Sequence, residues 1–140
     1  MSNEEISRKI AVIFATDLVG YSKHMEKDEN ATLLGLRECN KIIEPLIKKQ
    51  KGRIFNTGGD SVFAEFPSAV AAVNTAVEFQ KQIKARNDKD TTEVKLAYRI
   101  GINMGDVVKQ GDANLMGDGV NVAARLEALA QPGGITISKN

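Results

Sequence analysis

Two aspartates far apart in the sequence are the side chains best suited to chemistry. Asp17 lies near the end of the apolar run 10–18, and Asp60 follows the glycine pair of the stretch FNTGGDSVFAEF, in a predicted hairpin turn. Mg²⁺ prefers oxygen ligands, usually one or two carboxylates together with substrate phosphates, and paired ions assist phosphoryl displacement. Aspartate is also common in turns for purely structural reasons. Metal binding and a structural role are therefore both open at this point.

Two arginines are candidates for binding phosphate, and an asparagine shares a helix face with one of them. Asn121 and Arg125 are four residues apart on a predicted helix and so share a face, and a guanidinium can stabilise charge on a phosphoryl group. The alternative for Arg125 is a solvated ion pair with Asp118 or Glu127. Arg99 lies on a predicted strand, as either a second phosphate-binding cation or a sheet-surface residue.

The segment DLVGYS directly after the first aspartate is a candidate phosphate-binding turn. Gly20 allows a close turn, and the backbone amides from Val19 to Ser22 would face phosphate oxygens where the next helix begins. An ordinary strand-to-helix turn is the alternative. The only histidine, His24, lies in a polar stretch, so nucleophilic hydrolase chemistry has no support.

Length and composition indicate one cytoplasmic globular domain. The chain has 140 residues, of which 42% are hydrophobic and 26% charged, and its formal net charge is +1. The near balance of charge does not favour nucleic acid or an acidic membrane as a partner. The lone cysteine, Cys39, excludes an intramolecular disulfide. We find no membrane-length apolar run and no secretory signal pattern.

Hydrophobic periodicity predicts alternating strands and helices. Strands are expected at 10–18, at RIFNT, at SVFAEF, at 94–103 and at ITIS, with helices at 29–49, after the N-cap Ser68, and at 117–130. The stretch GDVVKQGD is expected to form a turn and a short strand. In the last helix, Val122, Leu126 and Leu129 are expected to form the apolar stripe that packs on the sheet.

This order of elements predicts an α/β fold of the α+β sandwich kind. It has a ferredoxin-like βαββαβ core, followed by an additional strand, helix and strand. Residues 1–9 are expected to be a polar N-terminal segment and residues 10–140 the domain. The core topology places the end of the first strand beside the hairpin between the second and third. Asp17 and Asp60 should therefore meet.

Four motifs resemble the class III nucleotidyl cyclase catalytic domain, most closely the bacterial adenylate cyclase type. They are IFATDLVGYSKHM, the region 52–66, YRIGINMGDVV and MGDGVNVAARLEALAQPGGITIS, and together they cover residues 10–138. Synthases of cyclic dinucleotides also carry a Gly-Gly-Asp turn but have no counterpart to GDGVNVAARLE. The resemblance therefore favours the mononucleotide cyclases.

The resemblance implies a role for each candidate. Asp17, Asp60 and the Leu18 carbonyl would hold two Mg²⁺ or Mn²⁺ ions. The triphosphate would be bound by the backbone amides of Gly20, Tyr21 and Ser22 and by Arg99. Asn121 would position the ribose, and Arg125 would stabilise the reacting phosphorus. It also implies conversion of ATP to 3′,5′-cyclic AMP and pyrophosphate, and a homodimer. Each shared site would use the metal aspartates of one chain and the Asn/Arg helix of the other.

Two departures from the family pattern leave alternatives open. Asn56 occupies the position where adenylate cyclases have an adenine-reading lysine, and Asn114 that of its usual aspartate or threonine partner. Because an amide both donates and accepts, the pair is compatible with ATP or GTP. Family members also continue past this chain's end, with a phosphate-binding lysine that Lys139 does not match. The alternatives are a guanylate cyclase and a non-catalytic nucleotide-binding or regulatory domain.

Overall fold

The computed structural model describes residues 6–89, 94–111 and 114–139. The strands are β1 (Ile6–Leu18), β2 (Arg53–Gly58), β3 (Ser61–Phe66), β4 (Tyr98–Gln110), β5 (Asn114–Met116) and β6 (Ile135–Ile137), and the helices are α1 (Tyr21–Lys27), α2 (Glu29–Lys49), α3 (Ala69–Asn87) and α4 (Asp118–Leu129). None of these helices has the length and apolar content needed to cross a membrane.

The strands form a mixed sheet in the order β2-β3-β1-β4-β5, and β6 pairs with β4 in parallel. The neighbouring pairs along that path are antiparallel. The predicted α+β class and the ferredoxin-like core are confirmed. Because β3 and β4 flank β1, the turn after β2 is brought to the end of β1.

From Ala11 to Leu18 the central strand β1 is buried on both faces, which explains the apolar sequence of that part. Phe14 belongs to the core cluster that α2 and α3 cover. Its neighbours Ile13 and Ala15 point to the other face and belong to a second, smaller cluster that includes Ala123 of α4. The sheet thus has a large core on the α2/α3 face and a thin one on the α4 face.

Side-chain caps define where the two long helices begin. The Ser68 hydroxyl accepts a 3.1 Å hydrogen bond from the N–H of Ala71, which confirms the predicted N-cap of α3. Asp28 caps α2 in the same way, by accepting from the N–H of Ala31. Such caps typically contribute about 1 kcal/mol each.

Strand β4 differs from the prediction at both ends. It begins at Tyr98 rather than at residue 94, and it continues without a turn through GDVVKQ to Gln110. The reason is its partner: β1 itself begins at Ile6, within the segment 1–9, and pairs with β4 along its full length, up to Gln110. A continuous ladder satisfies the backbone groups of both strands, and it overrides the local turn signal of Gly105.

The predicted apolar stripe of α4 is wrong. Gly119, Ala123 and Glu127 face the sheet, whereas Val122 and Leu126 are half-buried and Leu129 is 74% exposed. The cause is a very close approach of α4 to β4. A Cβ atom added to Gly101 would lie 2.3 Å from the Glu127 nitrogen and 2.4 Å from the Ala123 oxygen. Only small residues allow the two backbones to touch, so the large apolar side chains lie outside the contact.

Candidate active site

The hairpin turn is attached to the end of β1 by a hydrogen bond. The backbone N–H of Leu18 donates to Oδ2 of Asp60 at 2.9 Å. Asp17 is the preceding residue, and its charge raises the pKa of Asp60. The predicted meeting of the two aspartates is therefore observed, although they lie 43 positions apart.

Arg99 lies directly beside the first aspartate. Asp17 and Arg99 are opposite residues in the β1–β4 ladder, so their side chains lie on the same face of the sheet. Nε of Arg99 is buried and has no hydrogen-bond partner among the described residues. A phosphate oxygen is the type of acceptor that a guanidinium in this position would bind.

Glu127 of α4 completes this cluster and was missed in the sequence as a site residue. Its side chain is hydrogen-bonded to that of Asp17 and is close enough to Arg99 and Asp60 to feel their charges. The residue is only 8% exposed. One sequence signal could have revealed it: Gly119, Ala123 and Glu127 recur every four residues, which puts one acid on a stripe of otherwise small residues.

Burial and the nearby negative charge of Asp17 raise the pKa values of Asp60 and Glu127. Burial is the main cause of the raised pKa of Asp60, and the charge of Asp17 adds to it, while hydrogen bonds from the backbone N–H groups of Leu18 and Asp60 partly offset the effect. Burial, the hydrogen bond to Asp17 and the charge of Asp17 raise the pKa of Glu127 to about 8 against the opposing influence of Arg99. Three carboxyl groups thus face one guanidinium.

This excess of carboxylate fits a divalent cation. Oxygen is the ligand atom that Mg²⁺ and Mn²⁺ prefer, and a cation here would relieve the repulsion between Asp17 and Asp60. Within the described ranges, no group of three or more His, Cys, Asp or Glu side chains has the geometry to hold an ion by itself. Backbone carbonyls and substrate oxygens would have to complete the coordination, as is usual for Mg²⁺.

The turn after β1 has the shape that a close backbone approach requires. Gly20 adopts the left-handed conformation, with φ 68° and ψ 34°, immediately before α1. The N–H groups that begin α1, at Tyr21 and Ser22, precede the first intrahelical bond, which His24 donates to the Gly20 carbonyl. The Tyr21 ring lies against Gly59 of the hairpin turn. Triphosphate binding by these amides stays a prediction.

The two predicted catalytic residues of α4 point away from this cluster. Asn121 is exposed, and the Arg125 side chain is 69% exposed, with Asp118 3.9 Å away. An exposed ion pair of this length contributes little. At about 100° per residue, Asn121 and Arg125 lie on the helix face opposite Glu127. In a single chain, α4 therefore presents Glu127 to Asp17 and presents Arg125 to solvent.

The predicted base-reading residues lie on two strands that meet. Asn56 is exposed on β2, next to an irregularity in the β2–β3 register, and Asn114 is exposed at the start of β5. These strands are at opposite ends of the sheet path, yet they contact each other, and Leu115 shares a cluster with Phe55. Curling of the sheet over the α4 face therefore brings the two strands together.

The chain matches one protein family over nearly its whole length. Residues 3–140 match the family described as "Adenylate and Guanylate cyclase catalytic domain". A curated relative from Rhizobium meliloti (strain 1021), "Putative adenylate cyclase 3", is 45% identical over 139 residues, which are 99% of this chain and 24% of that protein. The chain therefore spans about a quarter of the length of this relative.

Solved structures agree with this match and include both kinds of cyclase. An adenylate/guanylate cyclase/hydrolase from Silicibacter pomeroyi is 39% identical, with a TM-score of 0.86 over 96% of this chain and 78% of that one. The guanylyl cyclase Cya2 is 25% identical, with a TM-score of 0.83 over 94% of this chain and 76% of that one. The similarity thus extends to proteins described by either nucleotide.

Proposed function

Since this chain belongs to the family of adenylate and guanylate cyclase catalytic domains, we propose that it converts ATP to 3′,5′-cyclic AMP and pyrophosphate in a metal-dependent reaction. The main observation in support is the pair of carboxylates at the end of β1. The Leu18 N–H holds Asp60 beside Asp17, in an excess of negative charge that suits a divalent cation. The similarity to the Rhizobium meliloti protein named "Putative adenylate cyclase 3" favours ATP as the substrate.

Each side chain of the site has a task in this reaction. Asp17, Asp60 and the Leu18 carbonyl would hold two Mg²⁺ or Mn²⁺ ions, which when bound favour loss of the 3′-hydroxyl proton and neutralise phosphate charge. The ribose 3′-oxygen forms a bond to the α-phosphorus, and the bond to pyrophosphate breaks. Asn121 orients the ribose so that the 3′-oxygen lies in line with the leaving group.

Arginines supply the remaining positive charge. Arg99 binds the polyphosphate through a guanidinium whose buried Nε has no hydrogen-bond partner in the part of the chain that the structure describes. Arg125 neutralises charge that develops on the α-phosphoryl oxygens during the transfer.

We further propose that two copies of the chain share each site. Arg125 lies on the α4 face opposite Glu127, which contacts Asp17 of its own chain, and its side chain is exposed and therefore accessible to a second copy. The paired strands β1 and β4 carry exposed apolar side chains, such as Ile10, which is 70% exposed, and Met104. Exposed apolar groups of this kind favour association with a second copy.

The first test is an end-point assay of this chain with Mn²⁺ and either ATP or GTP. Cyclic nucleotide and pyrophosphate are quantified, and Asp60→Ala is the control. Cyclic AMP from the unmodified chain, absent in the control, is the expected result. Cyclic GTP alone would identify GTP as the substrate. That outcome would be compatible with the neutral side chains of Asn56 and Asn114 and with the similarity to the guanylyl cyclase Cya2. No product from either nucleotide would favour a non-catalytic nucleotide-binding domain.

Mixing inactive chains tests the shared site. Asp17→Ala and Arg125→Ala chains, each inactive alone, are expected to regain activity when they are co-expressed with different affinity tags and purified as a mixed dimer. The mixed dimer has one intact site, so about half of the activity of the unmodified dimer is expected. No recovery would contradict sites that are shared between chains.

A further inference from the structure

Glu127 is a buried carboxyl group, and burial of such a group requires interactions that compensate for the loss of water. It is 8% exposed, and fully or nearly buried glutamates are rare unless they are paired. It lies on the face of α4 that contacts the sheet, in line with Gly119 and Ala123. In the reaction proposed above, Glu127 contacts neither the substrate nor a metal ion.

Its partners are residues of the proposed metal site. The Glu127 side chain is hydrogen-bonded to Asp17 and near Arg99 and Asp60. Asp17 and Arg99 face each other across the β1–β4 ladder. The Glu127 side chain thus lies against the carboxyl group of Asp17 and can restrict the orientation of that group.

The backbone around Glu127 is held firmly in place. Glycine at position 101 lets the Glu127 backbone rest directly on β4, since an added Cβ would collide with it at 2.3 Å. One helix turn before Ala123, the Gly119 carbonyl accepts a 3.0 Å hydrogen bond from Nδ2 of the buried Asn103. A side chain on so well anchored a segment can orient a neighbouring group precisely.

We propose that Glu127 is a positioning residue that orients the metal ligand Asp17, and that α4 thereby serves two active sites at once. It supports the metal site of its own chain with Glu127 and supplies Asn121 and Arg125 to the site of the partner chain. This inference rests on the proposed function. A purely structural role for Glu127, as a buried partner of Arg99, is the alternative that the experiments must separate.

Metal binding without turnover is the first experiment. Mn²⁺ affinity is measured by electron paramagnetic resonance on the unmodified chain and on Asp17→Ala, Glu127→Ala, Glu127→Gln and the control Glu44→Ala, which removes an exposed acid of α2. Glu127→Ala is expected to weaken binding about tenfold, as for other groups that orient a metal ligand. Glu127→Gln should stay close to the unmodified chain, because its amide N–H can donate to Asp17.

Several results would overturn this assignment. One is that Glu127→Ala binds Mn²⁺ as tightly as the control Glu44→Ala. Another is that Glu127→Gln and Glu127→Ala lose Mn²⁺ affinity equally, although circular dichroism shows that both variants are folded. Tighter Mn²⁺ binding in Glu127→Ala would also overturn it, since Glu127 would then compete with the ion. If Asp17→Ala itself binds Mn²⁺ normally, Asp17 is not a ligand and the proposed metal site fails as well.

The mixed dimer then distinguishes two roles of Glu127, the orientation of Asp17 and the structural support of α4. Its one intact site takes Asp17 from the Arg125→Ala chain and Arg125 from the Asp17→Ala chain. Adding Glu127→Ala to the chain that supplies Asp17 is expected to reduce product formation about tenfold, and adding it to the other chain should have a much smaller effect. A structural support of α4 predicts the reverse, because it would displace Arg125, and that pattern or equal losses would overturn the proposal.

The two proposals fail in different ways. If the mixed dimer without a Glu127 change makes no product, the shared site is wrong. The Mn²⁺ affinities still decide the role of Glu127, since they depend on neither turnover nor association.

Discussion

The backbone N–H of Leu18 donates a 2.9 Å hydrogen bond to Oδ2 of Asp60. This bond joins the last residue of β1 to the turn between β2 and β3, and so places the two aspartates at one corner of the sheet. The hydrogen bonds from the backbone N–H groups of Leu18 and Asp60 use only part of the accepting capacity of the Asp60 carboxylate, so the group can also bind an ion. Helix α4 packs against this corner through Glu127, which is hydrogen-bonded to Asp17.

Asp60→Asn is expected to separate structure from metal binding. The amide oxygen can still accept from the Leu18 N–H, so the free energy of unfolding should change by less than about 1 kcal/mol. Cyclic nucleotide formation with Mn²⁺ should fall more than about 100-fold, because loss of a ligand charge should exceed the effect of losing a supporting residue. Chemical denaturation and the end-point assay measure the two effects. Asp88→Asn, which removes an exposed acid of the α3 terminus, should change neither; an active Asp60→Asn would contradict the metal role.

The stability of the metal-free chain should fall as pH rises from about 4.5 to about 8. Burial and the contact with Asp17 raise the pKa of Glu127 to about 8 in the folded state, from 4.5. The folded chain therefore binds more protons than the unfolded chain in this window, and the stabilisation that is complete below the unfolded pKa is lost as pH passes the folded one. The slope for one such group is at most about 1.4 kcal/mol per pH unit.

Urea denaturation in EDTA between pH 4 and pH 9 measures this dependence. In Glu127→Gln the decline attributable to this carboxyl should disappear, because the amide does not titrate. An unchanged pH profile in that variant would show that other groups cause the decline.

Gly101→Ala is expected to push α4 away from the sheet. The added methyl group would meet backbone atoms of Glu127 and Ala123, at 2.3 and 2.4 Å, and no side-chain rotation can relieve that. The free energy of unfolding should fall by at least about 1–3 kcal/mol, and Mn²⁺ affinity should fall with it as Glu127 moves. Gly58→Ala is the control, since its Cβ would meet nothing within 4 Å. Equal stability of the two variants would contradict the close contact.

Asn56→Lys is expected to increase the preference for ATP over GTP. An ammonium group at this exposed position can donate to N1 of adenine, and hydrogen bonds to charged groups contribute about 1.5–3 kcal/mol, so kcat/KM for ATP should rise about tenfold or more. Thr57→Lys is a matched control, because adjacent strand residues point to opposite faces. Equal effects from the two lysines would show that Asn56 does not read the base.

Local sequence patterns were sufficient to predict the order of the strands in the core and the proximity of two residues of the site, Asp17 and Asp60. The apolar run of β1, the N-cap of α3 and the order of elements are short-range signals, and they predict the core topology. Because that topology brings the end of β1 to the β2–β3 turn, the meeting of Asp17 and Asp60 could be predicted as well.

Only the tertiary structure decided how α4 packs and what its acid does. The pattern of Val122, Leu126 and Leu129 predicts the wrong face, because hydrophobicity alone cannot register that Gly101 leaves room for a backbone-to-backbone contact. Once the helix lies that close, small residues face the sheet, and Glu127 is buried where Asp17 and Arg99 stabilise it. Its burial follows from partners that are distant in the sequence, whereas the strands and caps follow from neighbours along the chain.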